Sequence, residues 1–147
     1  MKKNLGAAPM MFPQPVLIIA TYDENGKANA MNAAWGGIVG MDKIIIDLSS
    51  HKMKKAGFTT TKSEFVDAPV INELPVALEC ELIKVIDGNM YLGKIVNVAA
   101  DESVLSEEGK ITLSKFNPIT FDTSENGYYT LGDRVGNAFK DGKKLDI

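Results

Sequence analysis

The sequence predicts a mainly β protein, a small antiparallel barrel with minor helices, formed as a single domain over residues 1–147. Three observations carry this. Two tight-turn signals, Asn25-Gly26 and Asp87-Gly88-Asn89, each join a pair of β-rich runs. A run over residues 74–86 (LPVALECELIKVI) alternates apolar and polar side chains. The only helical signal is short and lies within residues 101–116.

The elements follow in chain order. VLIIATY, residues 16–22, is a strand, and Asn25-Gly26 returns the chain antiparallel as a second strand over 28–34. This second run, KANAMNAAWGG from Lys27 to Gly37, is unusual: it holds two asparagines, small side chains and the chain's only tryptophan. KIIIDLS gives a third strand over 43–48, ending in the polar cluster Ser49-Ser50-His51-Lys52. No period holds over residues 56–73, whose composition is that of an extended loop. The strand over 75–86 should bury Val76, Leu78, Cys80 and Leu82 on one face and turn Glu79 and Glu81 away. After the Asp87-Gly88-Asn89 turn, a partner strand spans 90–99. Asp101 starts a first helical turn with Glu102, Gly109 breaks the segment, and ITF after Pro118 is a last short strand. The tail from Gly127 is glycine-rich and basic.

Composition narrows the function classes. Apolar residues make up 45% and charged residues 24%, as in globular chains. A net charge of -3 gives no general attraction to nucleic acid or to anionic membranes. Prolines at 9, 13 and 15 interrupt the apolar stretch that follows Lys2 and Lys3, so neither a signal peptide nor a membrane span is expected. The single cysteine, Cys80, excludes an internal disulfide and a cysteine-rich zinc site, and the expected setting is cytoplasmic. No glycine-rich phosphate loop, zincin motif or cysteine pair is present. A nucleophile built from His51 and Cys80 is disfavoured, because Cys80 falls on the apolar face of its strand. No catalytic side chain and no metal ligand set is identified, so any chemistry is expected to reside in a bound cofactor.

The string NAMNAAWGG after a VLIIATYDENGK hairpin resembles the flavoredoxin-like branch of the flavin reductase family, the FMN-binding split barrels. The resemblance extends through SSHK, TTKSEFVDAPVINELPVALECELI, GKIVNVAADESVL, NPITFD and LGDRVGNAFKDGKKL, almost the whole chain. It implies an antiparallel split β-barrel, FMN as cofactor, and electron or hydride transfer through that FMN. The donor would be a nicotinamide cofactor or an electron-transfer protein, and the assembly a homodimer. It also implies a site. Asn29, Ala30, Met31, Asn32, Ala33 and Trp35 would lie along the flavin ring, with Phe121 packed nearby. Ser49, Ser50, His51, Lys52, Met53 and Lys54 would face the phosphate, whose dianion is suited by hydroxyl, amide and cationic donors. Relative to the family, an internal segment on the order of forty residues, two helices and one barrel strand, is missing between Lys55 and Ala56. The alternative function is that of a cofactor-free, dimeric β-barrel remnant with a ligand-binding or structural role.

Overall fold

A computed structural model describes residues 1–48 and 57–144. The predicted junction between Lys55 and Ala56 lies outside the described residues.

The Asn25-Gly26 turn forms as expected. Asp23 Oδ1 accepts the backbone N–H groups of Asn25 and Lys27, each at 2.9 Å, and Gly26 takes the left-handed φ of +75° that such a turn favours. It joins β2 (Leu17–Tyr22) to β3 (Ala28–Ala33) in register from Leu17 opposite Ala33 to Tyr22 opposite Ala28. A short β1 (Gln14–Pro15) precedes this hairpin. After β3 the chain bends at Trp35 into β4 (Gly36–Ile38), which pairs with β5 (Lys43–Asp47). The glycine at 36 is needed for contact rather than for its φ: a Cβ there would stand 2.8 Å from the backbone oxygen of Ile45.

Two strands of eleven residues, β8 (Val76–Ile86) and β9 (Met90–Ala100), dominate the fold. Their turn places Asp87 at φ 48° and Gly88 at φ 80°, two successive left-handed residues as a tight hairpin requires. With β4 and β5 they make a four-stranded sheet in the order β4-β5-β9-β8. Near the C-terminus, a 3₁₀ turn (Glu102–Val104) and a one-turn helix α1 (Leu113–Phe116) lead to β10 (Ile119–Asp122) and β11 (Gly127–Thr130). These two strands form a second sheet with β1, in the order β1-β10-β11. The sheets do not close into one barrel, and the architecture is mainly β and split, as the sequence predicts.

Three expectations are corrected. The stretch 56–73 is not a loop from residue 57 onward: β6 (Thr60–Lys62) and β7 (Pro69–Ile71) form a hairpin. Its short strands carry too few apolar residues to show a period, and polar side chains hold it instead. Glu73 accepts from the N–H and hydroxyl of Thr59, and Thr61 Oγ1 donates to Asn72 Oδ1 at 2.8 Å. The tail beyond Gly127 starts with a strand, because Tyr128 and Tyr129 pair opposite Phe121 and Thr120.

The third correction concerns β8. Leu78 and Leu82 are exposed, whereas Glu79 is buried. A bulge between Glu79 and Cys80 interrupts the ladder here. Ser63, which follows β6, donates its hydroxyl to Glu79 Oε2, and Asn97 Nδ2 donates to Oε1 at 2.5 Å. The carboxylate is thus satisfied inside the chain, while Leu78 and Leu82 are turned outward and Val76 and Cys80 are half-buried.

Candidate functional site

The unusual strand 28–34 leads directly to the candidate site, although not through its asparagines. Alternation along β3 places Asn29, Met31 and Ala33 on one face and Ala30 and Asn32 on the other. The two amides therefore project from opposite sides. Asn29 is half-buried, and its amide helps to lower the titration of the Asp23 carboxyl. That carboxyl is held below its ordinary value mainly by the Lys27 backbone N–H, with Asn25 and Asn29 adding to the effect. Asn32 is exposed, and Ala33 is buried in the core.

Trp35 lies beyond the strand end, at a bend, and borders a cavity of about 360 Å³. Its backbone oxygen accepts the N–H of Asp47 at 2.7 Å, which ties the bend to the end of β5. Gln14, Ile45, Asp47 and Met90 complete the principal walls. The four come from three elements: β1, the middle and end of β5, and the start of β9. Asn89 in the β8–β9 turn donates to Asp47 Oδ1 at 3.1 Å, and its carbonyl accepts the N–H of Leu48 at 3.0 Å. The turn thereby fixes the exit of β5, and Ser49 to Lys54 follow directly in sequence. Those six residues, the expected phosphate side, lie outside the described residues. Gly37 also borders the cavity, and a Cβ there would meet nothing within 4 Å, so the pair Gly36-Gly37 combines close strand packing with open space.

Phe121 opens onto a second cavity of about 380 Å³, with Phe12, Thr120 and Tyr129. Its ring stands 5.7 Å from that of Tyr128 at 47°. Phe121 and Gln14 are directly opposed on β10 and β1, so the two cavities adjoin through this pair. Of the residues singled out in the sequence, the structure thus places Trp35 on one cavity and Phe121 on its neighbour. Asn29, Ala30, Met31, Asn32 and Ala33 line neither. Gln14, Asp47 and Met90 carry no motif in the sequence. Gln14 has one local signal, its place between Pro13 and Pro15, which restrict the backbone on either side.

Cys80 is half-buried, and its thiol is pushed above its ordinary value by burial and then by the neighbouring Glu79. Such a thiol is a poor nucleophile at neutral pH. Among the described residues no group of three His, Cys, Asp or Glu side chains is placed to hold a metal. Among the same residues no helix is long and apolar enough to cross a membrane.

Comparison with solved structures identifies the fold. The chain superposes on the flavoredoxin of Desulfovibrio vulgaris (Miyazaki F) with a TM-score of 0.88 and 29% identity, covering 97% of this chain and 100% of that one. The chain shares the fold of the flavoredoxins and of the flavin reductase split barrels. A flavoredoxin from Methanosarcina acetivorans gives a TM-score of 0.82 at 24% identity over 99% of this chain and 98% of that one. The fold is also that of a flavin reductase with a split barrel domain from Shewanella frigidimarina NCIMB 400, with a TM-score of 0.59 and 17% identity over 84% of each chain. In sequence, this flavoredoxin-like chain is 33% identical over 72 residues to an uncharacterized protein of Aquifex aeolicus (strain VF5). That match spans 47% of this chain and only 37% of the other protein's length. No family model matches the chain.

Proposed function

We propose that this flavoredoxin-like chain binds FMN and carries electrons or hydride through it, with the ring end of the flavin in the Trp35 cavity. The observation that supports this most is the chemistry of that cavity. Its volume, about 360 Å³, falls in the range of small-molecule sites, roughly 300–1,000 Å³. An indole, an isoleucine and a methionine offer flat and aliphatic walls, and one amide and one carboxylate offer polar contacts. A planar ring system with a polar edge suits that set. Bound FMN would supply the redox chemistry; the protein's part is to hold and orient it and to exclude water. Trp35 would cover the ring, and Ser49 to Lys54 would provide donors for the phosphate. The electron donor is a nicotinamide cofactor or an electron-transfer protein, in a cytoplasmic setting. The visible spectrum of the purified protein tests this reading: the yellow absorption of oxidised flavin, present as isolated or after adding FMN and desalting, is expected. A colourless protein after both treatments would contradict it.

The working unit is proposed to be a homodimer. A compact monomer of 15.9 kDa exposes about 7,400 Å² by the usual size scaling, whereas this chain exposes 11525 Å². Extended terminal residues account for part of the excess. The distal half of β8 adds an apolar part, since Leu82, Ile83 and Val85 are exposed on the outer edge of their sheet. Apolar patches of this kind are normally covered, and a second copy related by a two-fold axis covers two at once. Light scattering at micromolar concentration is expected to give twice the chain mass; a stable monomer would refute the dimer.

A further inference from the structure

We propose that Gln14 recognises the polar pyrimidine edge of the flavin, a role that rests on the flavin reading above. Gln14 is 5% exposed, one of the most buried residues in the chain. Among the described residues its side-chain amide makes no hydrogen bond, although no buried side-chain nitrogen or oxygen is sealed off without a partner. The amide must therefore reach open space, and the space Gln14 borders is the Trp35 cavity. In the free protein the amide is left to water, and a ligand that enters the cavity can displace that water and pair with it.

The chemistry of the amide limits what that is. A glutamine presents one acceptor and two donors side by side. The pyrimidine edge of a flavin presents the complementary arrangement, an N3–H flanked by the C2 and C4 carbonyls. Gln14 Oε1 accepts the N3–H while Nε2 donates to an adjacent carbonyl, with the Trp35 ring alongside. The backbone is prepared for this. Pro13 and Pro15 flank the residue, its carbonyl accepts the Thr120 hydroxyl at 2.8 Å, and β10 pairs with it at Phe121. Little freedom remains to be lost when the edge is bound.

The test compares FMN with N3-methyl-FMN, which carries the same ribityl phosphate but lacks the N3 donor, by fluorescence titration of the intact protein. The native chain is expected to prefer FMN by at least about tenfold, because a site built to bond an N–H rejects the analogue without it. Gln14→Leu should abolish that preference. Gln14→Met, which keeps the length of the side chain, repeats the measurement if the leucine variant misfolds. FMN binding with no preference over the methylated flavin, or a preference that survives in both variants, overturns the role of Gln14 and leaves the flavin reading intact. Failure of the native chain to bind either flavin overturns both.

Discussion

Replacing Glu79 with glutamine probes the polar link between the β6–β7 hairpin and the main sheet. Glu79 is 7% exposed and accepts hydrogen bonds from Ser63 Oγ and from Asn97 Nδ2. The Ser63 hydroxyl oxygen already accepts the backbone N–H groups of Phe65 at 2.9 Å and Val66 at 3.0 Å. It has no lone pair left for a glutamine N–H. With Asn97 held in its present orientation, donating through Nδ2, a glutamine can therefore satisfy either Asn97 or Ser63 with its single carbonyl, but not both. One buried donor loses its acceptor, at about 1–3 kcal/mol, and the surviving bond changes from a charged to a neutral acceptor, at about 1 kcal/mol more. The expected loss is about 2–4 kcal/mol, or roughly 30- to 900-fold in the folding equilibrium. Urea unfolding at fixed protein concentration, needed because assembly contributes to stability, reads this directly. A double-mutant cycle with Asn97→Ala should show coupling above about 0.5 kcal/mol. A Glu79→Gln variant within about 0.5 kcal/mol of the native chain would refute the argument that this carboxylate is a structural pin.

Adjacent glycines are expected to behave differently. Gly36→Ala places a Cβ 2.8 Å from Ile45 O and should cost about 1–3 kcal/mol, whereas Gly37→Ala meets open space and should unfold close to the native midpoint. Trp35→Ala removes the aromatic wall of the cavity and should weaken FMN binding at least tenfold, or about 1.4 kcal/mol; unchanged affinity in a titration would make Trp35 a packing residue only. The carboxyls of Asp23, Asp122 and Glu73 are all held low, each chiefly by one neighbour: the Lys27 backbone N–H, the Ser124 backbone N–H and the Thr59 hydroxyl. A lowered folded-state value stabilises above the ordinary values, 3.8 for aspartate and 4.5 for glutamate, and that contribution disappears as pH falls through the lowered ones. Urea midpoints measured from neutral to acid pH should therefore hold above about pH 5 and decline below about 4, and less steeply in Asp23→Asn.

The elements legible in the sequence are those whose signals are local. Asn25-Gly26 and Asp87-Gly88-Asn89 specify their hairpins through the backbone conformations they favour, and the long runs around them specify strands. The β6–β7 hairpin is not legible, because Thr59, Thr61, Asn72 and Glu73 hold it by polar bonds that leave no hydrophobic period. The outward turn of Leu78 and Leu82 is hidden for a different reason. Alternation shows that two faces differ but not which one the fold buries, and the choice here depends on Ser63, sixteen residues from Glu79. At the site, Trp35 is marked by its context, while Gln14, Asp47 and Met90 converge only through the pairing of β5 with β9 and the approach of β1 to β4. Asn29 and Asn32 appear equivalent in the sequence, and strand alternation separates them.

Titration of the purified, flavin-free protein with FMN, followed by flavin fluorescence, tests the central claim most directly. Saturable binding of one FMN per chain is expected, with the emission quenched beside Trp35 and the quenching reduced in Trp35→Ala. Fluorescence that rises linearly with added FMN and is indifferent to the protein would contradict a flavin site in this chain.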